Sequence, residues 1–158
     1  MKNHERNRLL RTYGKFYTRH FYDRPPEIGG DCYYCGEWAS DVEHIPPVSL
    51  IENQPIKEWK ERGFDIITVR CCSDCNGKLG NKALLTVETR LNFLEKKLMK
   101  EYEKAMSMWT EDELSELSEQ FRKQVVAKQK QKFMLLERIR NVQWRQQQLN
   151  REFPEKYE

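Results

Sequence analysis

Cys32-Tyr-Tyr-Cys35 and Cys72-Ser-Asp-Cys75 are two C-x2-C pairs, and they decide how this chain folds. Two such pairs a few dozen residues apart have the ligand pattern of a tetrahedral four-thiolate zinc site. A structural Zn2+ supplies folding energy that a short segment lacks, so the sequence predicts that these four cysteines bind zinc. Cys71 is the fifth cysteine. It could replace Cys72 as a ligand, but its spacing to Cys75 would not suit a compact knuckle.

The composition limits the size of the core and suggests a location. Of 158 residues, 38% are hydrophobic and 34% are charged, which predicts one domain, or a small domain with a helical extension. No apolar run is long enough for a membrane helix, and the polar N-terminus does not resemble a secretory signal. We therefore expect a cytoplasmic protein with no membrane partner, in which the cysteines bind metal rather than form disulfides.

Local sequence patterns divide the chain into four segments. Residues 1–27 alternate basic and aromatic residues and are predicted to form a helical arm that ends at Pro25-Pro26. This arm could stack on bases, but packing of its aromatic rings against the cysteine module is the better prediction. Residues 28–83 form that module, residues 84–153 a helical hairpin extension, and residues 154–158 a tail.

The cysteine module is predicted to contain short strands and one short helix. A strand is expected at residues 38–42, and a helix at 56–61 that ends at Gly63. Residues 66–69 are β-branched and read as a strand that leads into the second cysteine pair, because such side chains fit a pleated strand better than a helix.

From Thr86 onward the pattern is that of long helices. Apolar residues recur at steps of three or four, which places them on one helical face, and this helix is predicted to end at Trp109-Thr110. Thr110 and Glu113 have the Thr-x-x-Glu form of a capping box, so a second helix should begin there, and Pro154 should end it. The first apolar face predicts an intramolecular core or a dimer seam; it comprises Val87, Leu91, Leu94, Leu98, Tyr102 and Ala105.

The second long helix is strongly basic. Residues 121–151 contain nine lysines and arginines and a single acid, Glu137. Such a stripe is often only a solvated helix face, but so uneven a balance also suits a surface that follows a phosphate backbone. The nine cations are Arg122, Lys123, Lys128, Lys130, Lys132, Arg138, Arg140, Arg145 and Arg151.

The residues around the cysteine pairs suggest a second, catalytic metal site. Glu43 and His44 lie between the pairs, and Asn76 follows the second pair directly. Mg2+ prefers oxygen ligands, which the Glu43 carboxylate and the Asn76 carbonyl could supply. His44 could then take a proton from water, as hydrolysis of a phosphodiester requires. In extended backbone His44 points to the side opposite Glu43, so local curvature must bring both to one phosphate.

These residues, in this order, resemble the HNH (ββα-metal) endonuclease family, particularly its zinc-stabilised phage-type members. The resemblance covers about residues 32–82. It implies a treble-clef-like module in which His44 is the general base, Glu43 and Asn76 bind a catalytic Mg2+ or Mn2+, and the four cysteines bind the structural Zn2+. It also implies phosphate contacts by Lys78 or Lys82, and an origin in a phage or prophage of a bacterial host.

The sequence departs from the family pattern in two places. Glu43 stands where the family more usually has Asp, one methylene shorter, and the stretch at residues 65–70 lacks the central Asn that many members carry. The long C-terminal helices resemble in layout the dimerising extensions of junction-resolving members, which implies a homodimer.

We therefore expect an α+β protein: a zinc-stabilised ββα-metal module with an N-terminal helical arm and long C-terminal helices. The predicted function is a metal-dependent endonuclease that acts on double-stranded or branched DNA. Two alternatives remain open: a noncatalytic zinc-binding adaptor that binds nucleic acid or a host protein through its helices, and a helical interaction protein with an incidental zinc site. The predicted nucleic-acid contacts are Lys78, Lys82, Arg122, Lys123, Lys128, Lys130, Lys132 and Arg138.

Overall fold

A computed structural model describes residues 1–105 and 109–157 as a mixed α+β fold with a small sheet and long helices. The α+β class predicted from the sequence is thereby confirmed. No helix in these two ranges is long and apolar enough to cross a membrane. The elements in chain order are α1 (Asn3–Tyr13), β1 (Thr18–Arg19), β2 (Asp41–Ile45), α2 (Ile56–Glu61), β3 (Ile67–Cys71), α3 (Ser73–Leu79), α4 (Val87–Lys104), α5 (Glu111–Ser115), α6 (Glu119–Glu152) and α7 (Pro154–Tyr157).

A three-stranded sheet and α3 form the frame of the cysteine region. The strand order is β1-β3-β2, with β2 antiparallel to β3 in a register that pairs Glu43 with Val69 and His44 with Thr68. α3 begins directly after β3, and the Cys72 sulfur accepts a hydrogen bond from the Cys75 amide at 3.4 Å, which caps the helix. β2, β3 and α3 thus form a β-β-α unit that carries the second cysteine pair.

The N-terminal arm is only partly helical, so the predicted helix to Pro25-Pro26 is wrong beyond Tyr13. A 3-10 turn follows α1, and β1 then pairs parallel to β3. The Thr18 amide donates to the Ile66 carbonyl and the His20 amide to the Thr68 carbonyl, both at 3.0 Å. The free edge of β3 offers backbone hydrogen bonds that the local basic and aromatic pattern does not reveal.

The predicted elements of the cysteine module lie close to their expected positions. α2 occupies residues 56–61 as predicted. The first strand begins at Asp41, three residues later than expected, and the second covers Ile67–Cys71 rather than residues 66–69. Both strands therefore extend further towards the residues of the candidate site than the sequence pattern suggested.

One hydrophobic core joins the cysteine module to the long helices. It contains the cysteines together with apolar residues of α4 and α6, including Leu91, Leu98 and Val142. Thr86 is the N-cap residue of α4 and its side chain forms a capping box with Thr89, and the helix ends at Lys104. The predicted capping box of Thr110 and Glu113 is present, but it starts only the five-residue α5.

α6 is a separate helix, capped by the Ser118 side chain, so the predicted second helix is divided in two. Residues 106–108, through which the first helix was predicted to continue to Trp109, lie outside the described residues, as does Glu158 at the end of the tail.

Candidate functional site

The four cysteines of the two C-x2-C pairs meet in the core. Their sulfur atoms all lie within 4.8 Å of one another, and those of Cys35 and Cys72 are 3.6 Å apart. A tetrahedral zinc with Zn–S bonds near 2.3 Å requires sulfur separations of about 3.8 Å, so the cluster fits this ion. The predicted grouping of the four cysteines is confirmed. The Cys71 thiol instead donates to the Cys72 carbonyl at 3.3 Å and stands outside the set of four.

α6 holds the cysteine cluster with polar side chains. Asn141 donates to the Cys35 carbonyl and the Arg145 Nε to the Tyr33 carbonyl, each at 2.9 Å. Arg138 places its Nη2 3.5 Å from the Cys75 sulfur and 2.6 Å from Asp74. Four thiolates on one Zn2+ would carry an excess negative charge, which the Arg138 guanidinium is placed to offset.

Arg138 and Arg145 are therefore interior residues. Arg138 is 7% exposed and Arg145 is fully buried. The prediction of a basic surface that follows a phosphate backbone required both side chains to face solvent. The prediction that Arg138 contacts nucleic acid is wrong for this reason. The sequence showed only that both residues belong to a basic helix, and it could not show which of its cations face the thiolates.

His44 and Asn76 line one cleft of about 350 Å³ beside the β-β-α unit. The Tyr17 ring contacts the His44 ring edge-on, with centroids 4.8 Å apart. Burial, together with the positive charges of Arg6 and Arg90, lowers the pKa of His44 to about 4. The imidazole is therefore neutral near pH 7 and can accept a proton.

Glu43 lines the same cleft but is almost completely buried, with 6% of its surface exposed. One carboxylate oxygen, Oε1, accepts a hydrogen bond from Arg90, and the other, Oε2, has no hydrogen-bond partner in the described structure. Burial raises the pKa of Glu43, although the Arg90 guanidinium opposes this shift. Arg90 also donates to the backbone carbonyls of Leu84 at 2.9 Å and His44 at 3.4 Å.

Asn76 pairs with the carboxylate of Asp41, which was not among the predicted site residues. Its side-chain Nδ2 donates to the Asp41 Oδ2 at 3.0 Å. Because Asp41 can only accept, this bond fixes the orientation of the amide and leaves its carbonyl oxygen as the atom able to bind a cation. Asp41 lies two residues before Glu43 and hence on the same face of β2. This spacing is the sequence feature from which Asp41 could have been predicted as a site residue.

The other predicted phosphate contacts differ in their accessibility. Lys78 is 13% exposed and pairs with Asp74 and, at 2.8 Å, with Glu101. Lys82 is exposed but donates to the Lys78 carbonyl at 2.9 Å. On α6, Lys123 pairs with Glu119 at 3.4 Å, and Lys132 lies 4.8 Å from the ring centre of Tyr102. The exposed cations of this set are Lys82, Arg122, Lys123, Lys128 and Lys130.

Comparisons of the chain with protein-family models, with curated proteins and with solved structures find no significant match. The function is therefore inferred from the residues of the cluster and the cleft.

Proposed function

We propose that this protein is a zinc-stabilised, metal-dependent endonuclease of the HNH (ββα-metal) type, which hydrolyses phosphodiester bonds in DNA. One observation carries the proposal: His44 and Asn76, which come from β2 and α3, line a single cleft. The four-cysteine cluster lies at the start of α3 and, with a metal bound, would join that helix to the segment that carries Cys32 and Cys35. This combination suits phosphodiester hydrolysis, which needs a base and a cation site beside one phosphate.

The oxygen atoms around the cleft suit a hard divalent cation such as Mg2+ or Mn2+. Glu43 Oε2 is a buried carboxylate oxygen without a hydrogen-bond partner in the described structure, which is costly unless a cation or donor binds it. Asn76 would supply its amide carbonyl, and Asp41 a further carboxylate beside it. When bound, such a cation would stabilise negative charge on the phosphate.

His44 is proposed to act as the general base. Its neutral imidazole would take a proton from the water that attacks phosphorus, a contribution of about 10²- to 10⁴-fold in rate. The Tyr17 ring and the Arg90 bond to the His44 carbonyl limit the movement of this residue. The base is thus positioned by α4 and the N-terminal arm as well as by β2.

A nucleic acid is the substrate class that the charge distribution favours. Arg122, Lys128 and Lys130 are exposed on α6 and can follow a phosphate backbone without reading bases. A homodimer formed through α4 and α6 and a phage or prophage origin remain predictions.

Incubation of supercoiled, linear and branched DNA with zinc-loaded protein tests the proposal. We expect cleavage that requires added Mg2+ or Mn2+, and a loss of at least about 100-fold in rate for His44→Ala. Asn76→Ala should need more cation to reach the same rate. His4→Ala is the matched control, because His4 is exposed on α1 and does not line the cleft. Equal rates for wild type and His44→Ala would refute the proposed mechanism.

A noncatalytic zinc-binding adaptor is the second candidate. The observation in its favour is the Arg90 bond to Glu43, which occupies one of the carboxylate oxygens that a catalytic cation would use. In that case the same assay would show DNA binding that is independent of added Mg2+ and no cleavage by wild type.

A further inference from the structure

We propose that Arg6, on the N-terminal helix α1, binds a backbone phosphate of the nucleic acid at the cleft that contains His44 and Asn76. This inference rests on the proposed function for its substrate class. It adds a residue from outside the β-β-α unit, which none of the sequence patterns singled out.

Arg6 is placed at the cleft by the packing of α1. Met1, Asn3 and Arg6 of the N-terminal segment line the same cleft as His44 and Asn76. Leu9, one turn after Arg6, is 1% exposed and belongs to the second hydrophobic cluster of the protein. Residues three apart share a helix face, so the anchoring of Leu9 directs Arg6 towards the rest of the protein.

The Arg6 guanidinium is available for a ligand. Within residues 1–105 and 109–157 it makes no side-chain hydrogen bond and no ion pair, although it is exposed. Arg8, two residues along the same helix, is by contrast paired with Glu52 at 3.3 Å. Lys78, one of the two lysines for which the family resemblance implied phosphate contacts, is held between Asp74 and Glu101.

The charges around the cleft favour an anion next to Arg6. Among the described residues that line the cleft, Arg6 is the one with a cationic side chain, and Glu43 is the one with an acidic side chain. Arg90 offsets the Glu43 charge from within the core. A guanidinium presents a planar set of donors that matches two phosphate oxygens, so Arg6 can both attract and orient a phosphodiester.

Duplex binding as a function of salt tests this assignment without requiring cleavage. The probe is a short fluorescein-labelled DNA duplex, titrated with zinc-loaded protein in buffer without added Mg2+ or Mn2+. Each phosphate contact contributes about 0.9 to the slope of log affinity against log salt. We expect Arg6→Ala to lower this slope by about one and to weaken binding by about tenfold at low salt. Arg6→Lys should keep most of the slope.

Arg8→Ala is the matched control. It removes the same charge from the same helix, but the two side chains lie about 160° apart around the helix axis, and Arg8 is already paired. Arg8→Ala should therefore leave the slope unchanged. Equal slopes for wild type and Arg6→Ala, or equal losses for Arg6→Ala and Arg8→Ala, would overturn the proposal.

A second measurement separates this proposal from the nuclease proposal. With Mn2+ and the small phosphodiester bis(4-nitrophenyl) phosphate, Arg6→Ala should raise KM more than it lowers kcat. If wild type binds duplex with the expected Arg6 dependence but hydrolyses nothing, the nuclease proposal fails and the phosphate site stands. If wild type cleaves DNA and Arg6→Ala matches it in both assays, the phosphate site fails alone. If wild type does not bind the duplex, the phosphate site fails, and the nuclease proposal is decided by the cleavage assay alone.

Discussion

Replacement of Glu43 by glutamine should destabilise the fold, independently of any effect on catalysis. Glu43 is 6% exposed and its partner Arg90 is 1% exposed, so the variant would leave a buried guanidinium charge without a counter-ion. Removal of one member of a buried ion pair typically costs about 3–5 kcal/mol. In a chain of this size, that loss corresponds to a decrease in Tm of about 6–20 °C.

The measurement is urea unfolding followed by circular dichroism at pH 7, with the free zinc concentration held constant. Glu103→Gln is the control, because Glu103 is exposed on the same helix as Arg90, and it should change the free energy of unfolding by less than about 0.5 kcal/mol. The double variant Glu43→Gln/Arg90→Gln removes both charges and leaves neither unpaired. It should therefore lower the free energy of unfolding by less than the sum of the two single variants. The expected coupling is about 2 kcal/mol.

Two results would refute this reasoning. A cost below about 1 kcal/mol for Glu43→Gln would mean that the Arg90 charge is satisfied by solvent or by the Leu84 and His44 carbonyls alone. Additive costs in the double variant would mean that the two side chains do not interact. Activity lost by any Glu43 variant can be assigned to metal binding only after this stability cost is known.

Three further predictions concern the zinc cluster and the interior ion pairs. Metal analysis should find one Zn2+ per chain, and Cys75→Ser should lose zinc and unfold, because structural zinc contributes about 10–16 kcal/mol and total stabilities are about 5–15 kcal/mol. Arg138→Met should lower zinc affinity by about 10- to 100-fold in a chelator competition, whereas Arg140→Met, exposed on the same helix, should not. Although burial acts to raise the pKa of Glu152, the hydrogen bonds that it accepts and the charge of Arg145 lower it below its usual 4.5. The ionised carboxylate therefore stabilises the fold above about pH 4.5, so in urea unfolding the stability difference between wild type and Glu152→Gln should be largest at neutral pH and shrink as the pH falls below that value.

The four-cysteine cluster could be predicted from the sequence, because the spacing within each cysteine pair is a local feature of the chain. Each C-x2-C pair forms its own knuckle, and two knuckles with suitable spacing meet when the segment between them folds back as a hairpin. α2 and the apolar face of α4 could be predicted for the same reason, because the spacing of apolar residues along the sequence decides which side of a helix is buried. These elements required no knowledge of distant partners.

The partners of the candidate site residues could not be predicted in this way. Arg90 reaches Glu43, and Asp41 reaches Asn76, from positions 47 and 35 residues apart in the chain. Sequence patterns assign a charged residue to a helix or strand, but the residue across the interface is chosen by how the elements pack. The basic stripe on α6 shows the same limit, because two of its arginines turn inward to the knuckles.

The sequence by itself determined the α+β class, the four-cysteine cluster and the identity of the residues that it encloses. These follow from ligand spacing and local periodicity, which act over a few residues. Only the tertiary structure decided that Glu43 is buried against Arg90, that Asp41 orients Asn76, and that Arg6 lies at the cleft. Those outcomes depend on how α1 and α4 dock on the β-β-α unit, because burial and charge pairing arise from packing between elements far apart in the chain.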